Sequence, residues 1–246
     1  MSFNDDANLD TSQVESGGGR AGMPRGGLVI GGGAGGVILL ILTLLFGGSI
    51  GEDPGGAVNP GQDTRLDRGQ VEPGGAQGGS FPQCKTGADA NRDVQCRVIG
   101  TVNSVQDFWT EELPRFGKPY RKVKTVLYSG ITESACGTAS NQVGPFYCPV
   151  DEKVYIDASF FAALTSRFGA DSGALAQEYV VAHEYGHAIQ DQLGLLGRAQ
   201  QDRQGQNSSA VRIELMADCL AGVWAKHASE TEDATGKTFL MPLTPA

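Results

Sequence analysis

The chain is 246 residues long and carries 19 Lys and Arg against 28 Asp and Glu, a net charge of -9. That balance argues against a nucleic-acid partner, because phosphate binding depends on a basic surface that releases counterions. The one short basic run, Arg121, Lys122 and Lys124, is interleaved with Val123 and Val126 and reads as a solvated strand edge.

Residues 1–83 are too rich in Gly, Asp, Asn and Pro to build a packed core, which leaves residues 84–246 as a single domain. In chain order, residues 1–26 read as a polar, disordered tail. Leu28 to Phe46 is then an uncharged apolar run of nineteen residues. As a helix it would span about 30 Å, close to one bilayer core, and residues 27–50 are read as a membrane anchor. A cleaved secretory signal is the alternative, although its apolar core would be longer than usual and only Arg20 and Arg25 precede it. Those arginines before the run, with Glu52 and Asp53 after it, predict a single crossing with the N-terminus in the cytosol and the domain outside. Residues 51–83 follow as a flexible Gly/Pro linker.

Cys84 and Cys96 stand twelve apart, as do Cys136 and Cys148. Two local disulfides suit an oxidising compartment, the alternatives being reduced thiols or another connectivity. Cys219, set among apolar residues, is expected to be a buried thiol. Asn103 to Leu113 reads as a helix stopped by Pro114, and Lys122 to Tyr128 alternates like a strand. Phe146–Val150 and Lys153–Ile156 flank Asp151-Glu152 as a hairpin. Asp157 caps a helix through Arg167. Another helix opens at Asp171 or Ser172 and runs to Leu193, stopped by Gly194. Ser208 and Ser209 cap a last helix that reaches about His227. This succession predicts an α+β domain with a small mixed or antiparallel sheet.

The chemistry lies in His183-Glu184-Tyr185-Gly186-His187. A helix places residues i and i+4 on one face, so both imidazoles can address one ion, while Glu184 is turned about 100° away and can reach a water beside that ion. The motif sits in an apolar helix, where two unpaired imidazoles and a carboxylate would be costly and a bound metal removes the cost. A hydrolytic zinc has three protein ligands and an open position. Glu214, on the later apolar helix, is the candidate third ligand, the bland alternative being an inward Glu paired with Arg212 or Arg203. Asp218, one turn on, would accept a hydrogen bond from the second nitrogen of a liganding imidazole. His227 lies beyond the apolar stretch and is expected to be exposed.

The motif His183 to His187, followed by Glu214-x-x-Ala217-Asp218-Cys219-Leu220-Ala221-Gly222-Val223-Trp224, resembles the bacterial putative neutral zinc metallopeptidase family. So do Ala135-Cys136-Gly137, Gly144 to Pro149 and Lys153 to Asp157. The likeness covers roughly residues 84–242. It implies a zincin-like domain of the gluzincin type behind an N-terminal anchor, one Zn2+ per chain held by His183, His187 and Glu214, and Glu184 as the catalytic base. Peptide-bond hydrolysis of a peptide or protein substrate is the implied reaction. The Lys122–Tyr128 strand is a candidate edge for extended substrate, and Tyr128, Tyr147 and Tyr155 are candidate oxyanion donors or ordinary strand aromatics. Members of the family continue past the segment resembling Phe239 to Thr244 into further helices. If such a segment supplies part of the cleft, residues 84–246 would bind zinc yet turn over poorly. The rival readings are a membrane-tethered, non-catalytic scaffold that keeps zinc as a structural staple, and a metal-free adhesion module.

Overall fold

The computed structural model describes residues 1–17, 81–140, 143–162, 173–200 and 205–243. Its elements are β1 (Val14–Ser16), α1 (Gly87–Arg92), α2 (Val94–Glu112), β2 (Lys124–Tyr128), β3 (Ile131–Ser134), β4 (Gly137–Ser140), β5 (Phe146–Cys148), β6 (Lys153–Asp157), α3 (Ala174–Gln192) and α4 (Ser209–His227). One mixed sheet has the strand order β1-β2-β6-β5, and β3 pairs with β4 as a separate antiparallel ribbon. β1, β2 and β6 are parallel, while β5 folds back antiparallel on β6 through the expected hairpin. The class is therefore α+β with small sheets. The main core joins Leu127, Val154 and Ile156 of the sheet to Val98, Ile99 and Val105 of α2, to Val181, Tyr185 and Ile189 of α3, and to Ala221 and Trp224 of α4.

α2 and α4 begin at a side-chain cap, whereas Gly173 before α3 makes none and the start expected there at Asp171 or Ser172 lies outside the described residues. Ser208 accepts the Val211 N–H and opens α4 as expected. α3 starts after Gly173 and ends before Gly194, whose φ of 74° breaks the helix. α2, however, begins nine residues before the expected Asn103, at Val94, with the Asp93 side chain accepting the Cys96 N–H. Asn103 is no cap. Its buried amide exchanges two hydrogen bonds with the backbone of Asp10, at 2.8 and 2.9 Å. The Asp157 carboxylate accepts from the backbone and hydroxyl of Ser159, but the second half of the helix expected after it, from residue 163 on, lies outside the described residues.

Several expectations need correction. Residues 1–17 are not a disordered tail. Phe3, Ala7 and Val14 are buried in the core, and β1 runs beside β2 with Val14, Glu15 and Ser16 in register with Thr125, Val126 and Leu127. Composition misled here because the polar side chains of this segment are spent on hydrogen bonds to the domain rather than on water. β2 is consequently an interior strand between β1 and β6, with four of its five residues buried, and offers no free edge to a substrate. The packed region also begins before Cys84, since Phe81 is buried. The anchor expected over 27–50, and the linker up to residue 80, lie outside the described residues; among the described residues no helix is long and apolar enough to cross a membrane.

Both local disulfides are present, Cys84–Cys96 and Cys136–Cys148. Cys219 is exposed rather than buried. α4 turns Glu214, Ala217, Ala221 and Trp224 inward, and Cys219 falls on the opposite face beside Leu215, which is 58% exposed. The outer face of this helix is apolar too, so hydrophobicity alone could not tell inside from outside.

The N-terminal segment is held at its far side by Asp233. Its carboxylate accepts from the Asn8 backbone and side chain, the Thr235 backbone and hydroxyl, and the Lys237 backbone. Burial opposes ionisation of Asp233, but these donors outweigh it and hold the carboxyl well below its ordinary 3.8. A depressed folded-state value means that the stabilisation is complete above the unfolded value and is lost as pH falls through the folded one. Asp233→Ala should lower stability by about 3 kcal/mol at neutral pH, with the deficit shrinking below pH ~3. Urea melts of both proteins across pH check it, and equal midpoints at neutral pH would show that the cap contributes nothing.

Candidate metal centre

His183 and His187 lie one turn apart on α3, with ring centroids 4.9 Å apart and planes at 89°. Glu214 reaches them from α4. Its Oε2 stands 3.3 Å from His183 Nε2 and 3.4 Å from His187 Nε2. One donor atom from each of the three residues lies within 4.8 Å of the others, and all three residues are buried. The approach depends on Gly186. A Cβ there would come within 2.9 Å of the Ala217 carbonyl oxygen and 3.0 Å of its Cα. The glycine inside the motif therefore lets α3 and α4 meet backbone to backbone, close enough for a glutamate to span the gap.

The second nitrogen of each imidazole is occupied. His183 Nδ1 lies 2.9 Å from Asp218 Oδ1, and His187 Nδ1 lies 2.9 Å from Gln190 Oε1. Gln190 is oriented by its own amide, which donates to the Ile213 carbonyl at 2.6 Å. Tyr179 in turn donates its hydroxyl to Asp218. Both Nδ1 atoms thus face acceptors and carry the hydrogen, so in the neutral rings both Nε2 lone pairs point at a carboxylate. Three electron-rich atoms facing one another in a buried space need a cation between them. Burial alone would lower the His183 pKa, yet its bonds to Asp218 and Glu214 raise it to about 10, and His187 is raised against burial in the same way by Glu214 and Glu184. Burial would raise Glu214, but the two imidazoles bring it down to about 2.

A metal fits this set better than protons do. Two ligands about 2.0–2.1 Å from a tetrahedral zinc lie about 3.3 Å apart, which matches the Glu214 separations of 3.3 and 3.4 Å. Two nitrogens and one carboxylate oxygen are donors that zinc accepts in hydrolytic sites, and the Asp218 and Gln190 acceptors are the outer partners that fix a liganding imidazole.

Glu184 stands beside this cluster and takes no part in it. It is 1% exposed, and neither of its oxygens has a hydrogen-bond partner. Burial pushes its pKa up, opposed by the two imidazoles and by the nearby backbone N–H of Tyr147 on β5. A buried carboxylate with no well-formed hydrogen bond is expensive, and it is a group that a water on a metal would satisfy.

The structure therefore brings together every residue singled out from the sequence for the centre: His183, Glu184, His187, Glu214 and Asp218. His227 is far from it in function, bonded to Glu230 and stacked on Phe108. Of the tyrosines, Tyr147 donates to Asp191 and Tyr155 to Asp151, while the buried Tyr128 hydroxyl has no partner. Gln190 and Tyr179 were missed. Both were findable, because Gln190 is three residues after His187 and Tyr179 four before His183, positions that share a helix face.

The sequence model of the putative neutral zinc metallopeptidase family matches residues 3–238. The chain belongs to this family. The match takes in β1 as well as the metal helices, in keeping with the packing of residues 1–17 on the domain. An uncharacterized protein of Mycobacterium tuberculosis is 50% identical over 196 residues, which cover 79% of this chain and 64% of that protein. The uncharacterized protein YpfJ of Escherichia coli is 41% identical over 140 residues, 54% of this chain and 48% of its own length. The chain thus spans less than two thirds of the length of these relatives. No solved structure matches it significantly.

Removing either outer partner should loosen the metal without unfolding the helices. Asp218→Ala and Gln190→Ala should each weaken zinc binding by about 10–100-fold, read by competition with a chromophoric chelator. An unchanged affinity in Gln190→Ala would make its contact with His187 incidental.

Proposed function

We propose that the chain is a zinc-dependent peptidase that hydrolyses peptide bonds, with His183, His187 and Glu214 holding the metal and Glu184 moving the proton. The observation that carries this reading is the convergence of two Nε2 atoms and one carboxylate oxygen, with an unpartnered, buried Glu184 beside them. Bound there, zinc would supply Lewis acidity, activating a water and polarising the carbonyl under attack. Glu184 accepts the proton of the attacking water and later passes it to the departing amine, a double duty favoured by a carboxyl whose pKa burial has raised. Asp218 and Gln190 hold the two rings in the tautomer that presents Nε2 to the metal.

Substrate is assigned to β5 rather than to the interior β2. β5 is an edge strand of the sheet, and its Tyr147 backbone lies beside Glu184. A peptide in extended form would add to that edge as a further strand and present its carbonyl to the centre. The two disulfides support work in an oxidising, extracytoplasmic compartment.

Glu184→Gln separates this reading from a zinc-stapled scaffold. The variant should retain one zinc per chain and the wild-type fold while losing at least ~100-fold in peptide hydrolysis. Chelation should abolish wild-type activity and added zinc should restore it. Hydrolysis by Glu184→Gln at the wild-type rate would remove Glu184 from the reaction, and a zinc-loaded wild type that cleaves no member of a broad peptide library would favour the scaffold.

A further inference from the structure

The first seventeen residues are built into the domain along their whole length. At the start, Phe3 is paired with Leu240, with Asn4 N–H donating to Phe239 O and Met241 N–H to Ser2 O, both at 2.9 Å. In the middle, Asn8 is paired with Thr86, with Leu9 N–H donating to Lys85 O and Gly87 N–H to Ala7 O. At the end, β1 is laid against β2 and Gly17 N–H donates to Leu127 O at 2.8 Å.

The domain's own sequence is fitted to this segment. Asn91 both donates to and accepts from the backbone of Phe3, and buried Asn103 does the same with Asp10. A Cβ on Gly87 would overlap the Asn4 carbonyl, and one on Gly100 would come within 2.5 Å of the Phe3 ring. Without the segment, the Asn103 amide would lose its partner, the Phe3 site on α2 would be bare, and β2 would become an exposed edge.

This arrangement conflicts with the topology that the sequence invites. A single membrane crossing between residues 17 and 81 would leave the segment and the domain on opposite faces of a hydrocarbon layer about 30 Å thick, beyond hydrogen-bonding reach. We infer that residues 1–17 and residues 81–243 occupy the same side of any membrane the chain meets, so that the chain does not cross once with its N-terminus in the cytosol and its domain outside. The charge bias behind the single crossing rests on two basic residues, Arg20 and Arg25, before the run and two acidic ones, Glu52 and Asp53, after it. Against it stand three separate stretches of backbone pairing and two glycines shaped to the segment. The two disulfides make the shared compartment an oxidising one.

The test is sidedness of labelling in the full chain, expressed in intact cells. Cys219 is the free thiol among the described residues and is exposed, so it is first replaced by Ser. A single cysteine is then placed at an exposed position in the segment, Asp6→Cys, or in the domain, Ala234→Cys. A membrane-impermeant maleimide should label both variants before lysis, and labelling of neither until lysis would overturn the oxidising assignment. Labelling of Ala234→Cys in intact cells with Asp6→Cys reacting only after lysis, or the reverse, would overturn the inference. Neither zinc nor peptidase activity enters the readout, so the outcome is independent of the proposed reaction.

Discussion

The backbone contact between α3 and α4 at Gly186 and Ala217 governs the centre. Imidazole and glutamate side chains are short, and a carboxylate on one helix reaches two rings on another only if the helices touch without side chains between them. Once Gly186 permits that approach, Glu214 faces both Nε2 atoms and Asp218, one turn along, meets Nδ1 of His183. Gln190 closes the other flank, bridging His187 to the Ile213 carbonyl on α4. The bonds that set the two imidazole tautomers are thus also the bonds that clamp the helix pair.

That clamp concentrates polar groups where water is scarce. His183, His187, Glu184 and Glu214 are each less than a tenth exposed. An assembly of this kind is unfavourable as bare protein and becomes favourable when a cation neutralises it. If the proposed ion binds here, folding and metal binding would be linked, since the packing of α3 on α4 brings the three donor atoms together. Glu184 is excluded from the donor set by helix geometry, being turned away from the shared face of the two histidines. It is left as a buried carboxyl beside the three clustered donors, near the Tyr147 backbone of β5.

The motif His183 to His187 was legible because its logic is local: four residues of helix are enough to place two rings together, and Gln190 and Tyr179 obey the same rule. Glu214 and Asp218 were legible as inward carboxylates on an otherwise apolar helix. The disulfides were legible from their equal spacing. Cys219 was not, because α4 is apolar on both faces. Nor was β1, a three-residue strand in a segment rich in Asp and Asn, whose partners stand some ninety to two hundred and thirty residues away.

By itself, then, the sequence determined the elements whose signals repeat within a helical turn or a hairpin: the helix that carries His183 and His187, the caps at Ser208 and Gly194, and the β5–β6 turn. Only the tertiary structure decided that β2 lies inside the sheet, where residues 1–17 lie, and that Glu214 meets both imidazoles. The division has a physical cause. Local order follows from backbone geometry and short-range hydrogen bonds, whereas strand neighbours and helix contacts are chosen by burial and steric fit between distant residues, which a polar composition or a doubly apolar helix does not disclose.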